Sequence, residues 1–130
     1  MSGVASELLL PAEPGGLRAA RAYAHQAGTA FGLDADACAD FALAANEAVT
    51  NAIRHGAPDE RGHIHLSVAS DAERLTFAVR DHGTFSPRIP DPSTIYEGGR
   101  GMAIMASLMD EVQIRISPGS TTIQLCKARA

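Results

Sequence analysis

The stretch EAVTNAIRHG, Glu47–Gly56, decides how this chain is read. It is rich in alanine and aliphatic residues, ends on glycine and is followed closely by Pro58, the signature of a helix C-terminus. Asp34 supplies the matching start, because an aspartate at the N-cap accepts a bond from an otherwise orphaned backbone N–H. A helix from Asp34 to about His55 follows. At about 100° per residue, Phe41, Ala45, Ala48, Val49, Ala52 and Ile53 fall on one apolar stripe. Glu47, Asn51 and His55 recur every fourth residue and form a polar ridge along one border of it. Thr50 and Arg54 point to the solvent side. A solvated helix flank has the same spacing, and a histidine in a last helical turn suits the helix dipole.

Outward from this helix, the rest of the order can be read. ASELLLPAEPGG is a short strand and a turn, and LRAARAYAHQAGTAF, Leu17 to Phe31, has the composition of a helix. HIHLSV places Ile64, Leu66 and Val68 on one face of a strand. LTFAVRD places Leu75, Phe77, Val79 and Asp81 on one face of the next, with SDAE as the hairpin turn between them. His82 to about Gly98 is a long stretch holding Pro87, Pro90 and Pro92, a length usually reserved for function. GMAIMASLMD opens a third helix near Gly101. VQIRI and TTIQL are two last strands joined at Pro118-Gly119. Three amphipathic helices and five strands predict an α+β fold: a two-layer α/β sandwich with a mixed, mostly antiparallel sheet and the helices on one face.

The 130 residues suit one domain, expected over 1–130. Apolar residues make up 45% and charged residues 20%, the balance of a globular chain with a real core. Aromatics are only 5%, so that core is expected to be aliphatic and alanine-rich. A net charge of −4 argues against a nucleic-acid surface, which relies on phosphate neutralisation. Cys38 and Cys126 stand far apart and outside any metal-ligand spacing, as expected of a reduced intracellular protein. Leu8–Leu10 is too short an apolar run for a signal peptide or a membrane span.

Three further features carry chemistry. Asp81 ends a strand on its buried face, where a carboxylate needs donors such as an adenine amine, and Gly83 lets the backbone approach a base closely. DHG by itself is equally a simple turn. EGGRGMAIM, with Gly99, Arg100 and Gly101, opens a helix where backbone N–H groups can face phosphate oxygens, although a plain hinge reads the same way. No Lys-Ser/Thr pair follows, so it is not a P-loop. Thr121 shares strand parity with Ile123 and Leu125. It is either an inward hydroxyl needing a partner or simply a β-branched strand residue.

Taken in order, these patterns resemble the ATP-binding domain that gyrase, heat-shock chaperones, histidine kinases and MutL share, the Bergerat fold. ExxxNxxxHG looks like its N box, DHG its first glycine box, GRG its second, and TTIQL its last conserved strand. The likeness covers nearly the whole chain, and EAVTNAIRHG and GMAIMASLMDEV are closest to the bacterial anti-sigma-factor serine/threonine kinases. The resemblance implies ATP and Mg²⁺ as ligands. It implies Glu47 as the carboxylate that activates the attacking hydroxyl and Asn51 as the magnesium ligand. Asp81 becomes the adenine-binding aspartate, and Gly83, Gly99 and Gly101 the backbone positions around base and phosphates. Thr121 becomes the threonine supporting Asp81, directly or through water. Arg100 is an added phosphate contact or a solvent-facing charge, and His55 lies near the pocket with no assigned chemistry. Residues from about Phe85 to Gly99 would form a lid over ATP. Phe85 departs from the glycine usual at its position, which leaves a non-catalytic ATP/ADP-binding regulatory module as the alternative to a kinase. The implied partners are a sigma factor and an anti-sigma-factor antagonist protein, with a homodimer toward which exposed Leu43 points. The implied location is cytoplasmic, with no membrane and no direct nucleic-acid contact. Arg18 and Arg21 on the first helix are further candidates for partner contact.

Overall fold

The computed structural model describes residues 5–83 and 103–129. Its elements are β1 (Ala5–Pro11), α1 (Leu17–Phe31), α2 (Ala35–His55), β2 (His63–Ser70) and β3 (Arg74–Asp81), then β4 (Glu111–Ser117) and β5 (Ser120–Ala128). A short helix over residues 103–108, α3, precedes β4. The sheet runs β1-β2-β3-β5-β4, and each of these four pairings is antiparallel, where a mixed sheet was expected. α1 meets β2 and β3, while α2 meets β3 and β5, so both cover one face of the sheet.

The local chemistry explains these boundaries. Asp34 is the α2 N-cap, its carboxylate accepting from Ala37 N–H at 2.8 Å. α1 ends where Gly32 enters the left-handed region at φ 102°, which a side chain would oppose. β4 and β5 are joined by Pro118-Gly119, with Gly119 at φ 79°. Between β2 and β3, the Asp71 carboxylate accepts from the N–H groups of Glu73 and Arg74 and closes the hairpin.

The core lies between sheet and helices. Ile64, Leu66, Leu75, Phe77, Val79 and Leu125 are buried from below, Phe41 and Val49 from above. Phe77 is its centre: Phe41 meets it edge-on at 6.0 Å between centroids and Tyr23 tilts against it at 6.1 Å. Burying side chains of this size stabilises by about 1.5–3 kcal/mol each. The expected alanine-rich interior is real. Ala44, Ala45, Ala48 and Ala52 of α2 and Ala20 and Ala24 of α1 are all buried. These small side chains let the two helices lie close together. A Cβ on Gly28 of α1 would stand 3.0 Å from the Cys38 sulfur of α2. The buried arc on α2 is wider than the predicted stripe, taking in Ala44 on the flank that carries Asn51, and burial continues toward the helix start at Cys38, which packs against Gly28 of α1, while Ile53 is half-buried. Thr50, predicted to face solvent, is half-buried and donates to the Asn46 carbonyl at 2.7 Å.

Candidate functional site

α2 and the end of β3 build the site together. Asp81 finishes β3 on the buried face, and its side chain is only 7% exposed. One oxygen, Oδ1, accepts from the Gly83 N–H at 2.7 Å and weakly from the Ala57 N–H at 3.4 Å. Among the described residues, no donor reaches Oδ2. Oδ2 keeps contact with solvent and is free to accept from a ligand that brings a donor.

Gly56 is what lets the carboxylate sit there. A Cβ at position 56 would fall 2.4 Å from the Asp81 Cγ and 2.5 Å from Oδ2. The reason is steric rather than conformational, because φ at Gly56 is −92°. Sequence reasoning gave Gly56 only the role of helix stop. Its second role comes from a strand about 25 positions further on, a contact that no local pattern announces. Gly83 is similar: a Cβ there would lie 2.9 Å from Oδ1. The His82 N–H donates to the Ala57 carbonyl at 2.8 Å and closes the join between the helix end and the strand end.

Glu47 and Asn51 lie upstream on the same helix and are half-buried, while His55 is exposed. Neither Glu47 nor Asn51 hydrogen-bonds through its side chain to another described residue. Arg21 of α1 donates to Asn46 Oδ1 at 3.0 Å, which marks the flank of α2 that α1 covers. Asn46 and Asn51 stand about 140° apart around the helix. The ridge is therefore on the other flank, above β5, where Thr121 and Ile123 remain half-exposed. Asn51 lies about 7.5 Å before Gly56 along the helix axis and Glu47 about 6 Å before that, at 1.5 Å rise per residue. Thr121 stands opposite Asp81 in the β3–β5 register, so their side chains share a face, although no hydrogen bond joins them. Gly99, Arg100 and Gly101, with Phe85 and the lid, lie outside the described residues.

A different concavity of about 240 Å³ opens at the opposite end of the sheet, between α1 and the β2–β3 hairpin. Tyr23, Phe31, Val68 and Leu75 line it, and none of the predicted site residues does. Among the described residues, no group of three or more His, Cys, Asp or Glu could hold a metal ion, and no helix is long and apolar enough to cross a membrane.

Comparison with known proteins bears on this geometry. Residues 10–127 match the histidine kinase-like ATPase domain family. A Bacillus velezensis protein named serine-protein kinase RsbW is 30% identical over 128 residues, spanning 88% of this chain and 80% of that protein. A protein named anti-sigma F factor, from Anoxybacillus flavithermus, is 34% identical over 93 residues and spans 63% of each chain. Among solved structures, the RsbU and RsbW domains of a Mycobacterium tuberculosis protein align with a TM-score of 0.74 at 24% identity. That match covers 98% of this chain and 33% of the other. The SiaB–SiaC complex of Pseudomonas aeruginosa gives 0.58 at 13% identity, covering 95% and 89%. At these identities the structural likeness speaks to the fold.

Proposed function

Because this chain belongs to the histidine kinase-like ATPase domain family, we propose that it is an ATP-dependent protein serine/threonine kinase that also acts as an anti-sigma factor. It binds a sigma factor and phosphorylates a small antagonist protein. The names of its relatives, serine-protein kinase and anti-sigma F factor, support the two halves of this reading. We place it in the cytoplasm, as a homodimer. Leu43, 47% exposed on the outer side of α2, is the apolar side chain that favours a protein contact.

The observation that carries the nucleotide site is the Asp81 carboxylate, cradled by Gly56 and Gly83 with Oδ2 open, at the end of the helix that bears Asn51 and Glu47. An adenine amine donates to Oδ2 and fills the missing partnership. The triphosphate then runs along α2 toward its middle, past Asn51. The unpartnered Asn51 amide oxygen suits a hard cation, so it would hold Mg²⁺, which supplies neutralisation of phosphate charge when bound. Glu47 accepts the proton of the substrate hydroxyl. The hydroxyl oxygen forms the new bond to the γ-phosphorus as the bond to the β–γ bridging oxygen breaks, and ADP leaves. Thr121 supports Asp81 from β5. Gly99, Gly101 and Arg100 complete the phosphate end in this reading.

The test is phosphate transfer from Mg-ATP to a candidate antagonist. Glu47→Gln should abolish transfer and leave the ATP dissociation constant near the wild-type value, while Asn51→Ala should weaken magnesium-dependent binding as well. Transfer that survives both substitutions would overturn the site. Tight binding without transfer to any antagonist would select the non-catalytic regulatory module instead.

A further inference from the structure

The concavity of about 240 Å³ between α1 and the β2–β3 hairpin takes no part in the nucleotide reading. Its floor is apolar and buried: Phe31, Val68 and Leu75 are 7%, 5% and 1% exposed. The space exists because α1 presents short side chains there. Ala27 and Ala30 line it from the helix side and are too small to fill the room over Val68 and Leu75. One wall is held firmly. The Arg129 guanidinium stacks on the Phe31 ring at 4.1 Å, and its Nε donates to the Ala72 carbonyl at 3.2 Å.

The rim adds one polar handle. Ser6 stands opposite Val68 in the β1–β2 register, so its side chain is on the helix side of the sheet. There its hydroxyl meets that of Tyr23 at 2.7 Å. Two hydroxyls carry two donor protons, and the bond between them uses one. The other is left for a ligand. The Tyr23 ring is fixed against Phe77 at 6.1 Å, so the core aims this donor. Among the described residues, no charged side chain lines the concavity. An ion entering it would lose water without gaining a counter-charge, which selects an uncharged occupant. A cavity of about 150 Å³ holds benzene, so one of about 240 Å³ has room for a ring with a short substituent.

We propose that this concavity is a second binding site, for a neutral, apolar small molecule that carries one hydrogen-bond acceptor, such as a ketone, an ester or a lactone. Its apolar part covers Phe31, Val68 and Leu75, and its acceptor takes the spare proton of the Ser6–Tyr23 pair. Leu75 and Asp81 lie toward opposite ends of β3, about 20 Å apart at about 3.3 Å per residue. The site therefore fills independently of nucleotide, and the inference does not rest on the nucleotide reading of Asp81.

The probes are acetophenone and isopropylbenzene, alike in shape except that the first has a carbonyl oxygen where the second has a methyl group. Each is titrated into the methyl-labelled full chain and followed by NMR, with and without Mg-ADP. Acetophenone should give saturable shifts at Ala27, Val68 and Leu75, with a dissociation constant of about 1 mM that Mg-ADP leaves unchanged. Ser6→Ala combined with Tyr23→Phe removes both hydroxyls and keeps a ring against Phe77. In that variant the preference for acetophenone over isopropylbenzene should fall about fivefold, the scale of one hydrogen bond. Ala27→Leu fills the space and should weaken both probes about tenfold or more. The hydroxyl variant decides the matter even where Ala27→Leu does not fold. No saturable shift with either probe would overturn the proposal and leave the concavity to water or to a side chain of another protein. An unchanged probe preference in the hydroxyl variant overturns it too, as does wild-type affinity in a folded Ala27→Leu. Binding of acetophenone that Mg-ADP abolishes would put the probe in the nucleotide pocket and sink the proposal.

Discussion

Gly56→Ala is the sharpest probe of how the site is built. The substitution is benign for the backbone, since φ at position 56 is −92°. Its whole effect comes from one added methyl, 2.4 Å from Asp81 Cγ, 2.5 Å from Oδ2 and 2.7 Å from the Ala52 carbonyl. Relief to an ordinary contact of about 3.5 Å needs a shift of about 1 Å. Neither neighbour yields easily: the Asp81 carboxylate is tied to Gly83 at 2.7 Å, and the Ala52 carbonyl accepts the Gly56 N–H at 3.0 Å. Overpacking of this kind costs about 1–3 kcal/mol. For a domain of this size, roughly 4 °C of melting temperature is lost per kcal/mol, so a fall of about 4–12 °C is expected. The nucleotide effect should be larger in kind. A carboxylate displaced by about 1 Å no longer presents Oδ2 to a base, and the stabilisation that ligand binding adds, RT ln(1 + [L]/Kd), should disappear. Thermal melting with and without Mg-ADP reads both effects. Gly15→Ala is the control, because nothing lies within 4 Å of the Cβ it would add. A Gly56→Ala protein that melts like wild type and gains the wild-type stabilisation from nucleotide would refute the reasoning.

Two other outcomes test the frame. Asp34→Ala removes the bond from the Ala37 N–H and should cost about 1 kcal/mol, measured as a shift in the urea midpoint at unchanged slope. The Asp59 carboxyl is held well below the usual carboxylate range, chiefly by the His63 backbone N–H and then by the His65 side chain. A depressed folded pKa gives stability that is present above the unfolded value near 3.8 and lost as pH falls through the lower, folded one. The urea midpoints of wild type and Asp59→Asn should therefore differ at neutral pH and converge in acid below about pH 4. A constant gap down to strong acid would contradict the assignment.

How much of this could be read in the sequence depended on the range of the interaction. α2, its Asp34 cap, its Gly56 end, the β2–β3 hairpin and the Pro118-Gly119 turn all follow from neighbours a few residues apart. The sequence periods of 3.6 and 2 then placed Phe41, Val49, Phe77 and Asp81 inside, where the structure has them. What failed was whatever depended on a second element. The extent of burial on α2 depends on what packs beside the helix, so Ala44 and Cys38 were missed and Thr50 was misplaced. The Gly56–Asp81 contact and the cluster around Asp59 join residues from separate elements across the outer sheet or the helix end. The only local hint of the cluster was the alternation of His63 and His65 one turn after an aspartate.

The alanines of α2 have a use of their own. Alanine has no side-chain rotamer to change, and Ala44, Ala45, Ala48 and Ala52 are buried in a row that leads toward Gly56. With methyl labelling, a nucleotide-induced shift at any of them would record movement of the helix backbone rather than a rotamer flip. The four methyl groups thus form a ruler along the helix. A signal that fades from Ala52 to Ala44 would localise the response to the end beside Asp81, and an even one would show the whole helix moving as a rod.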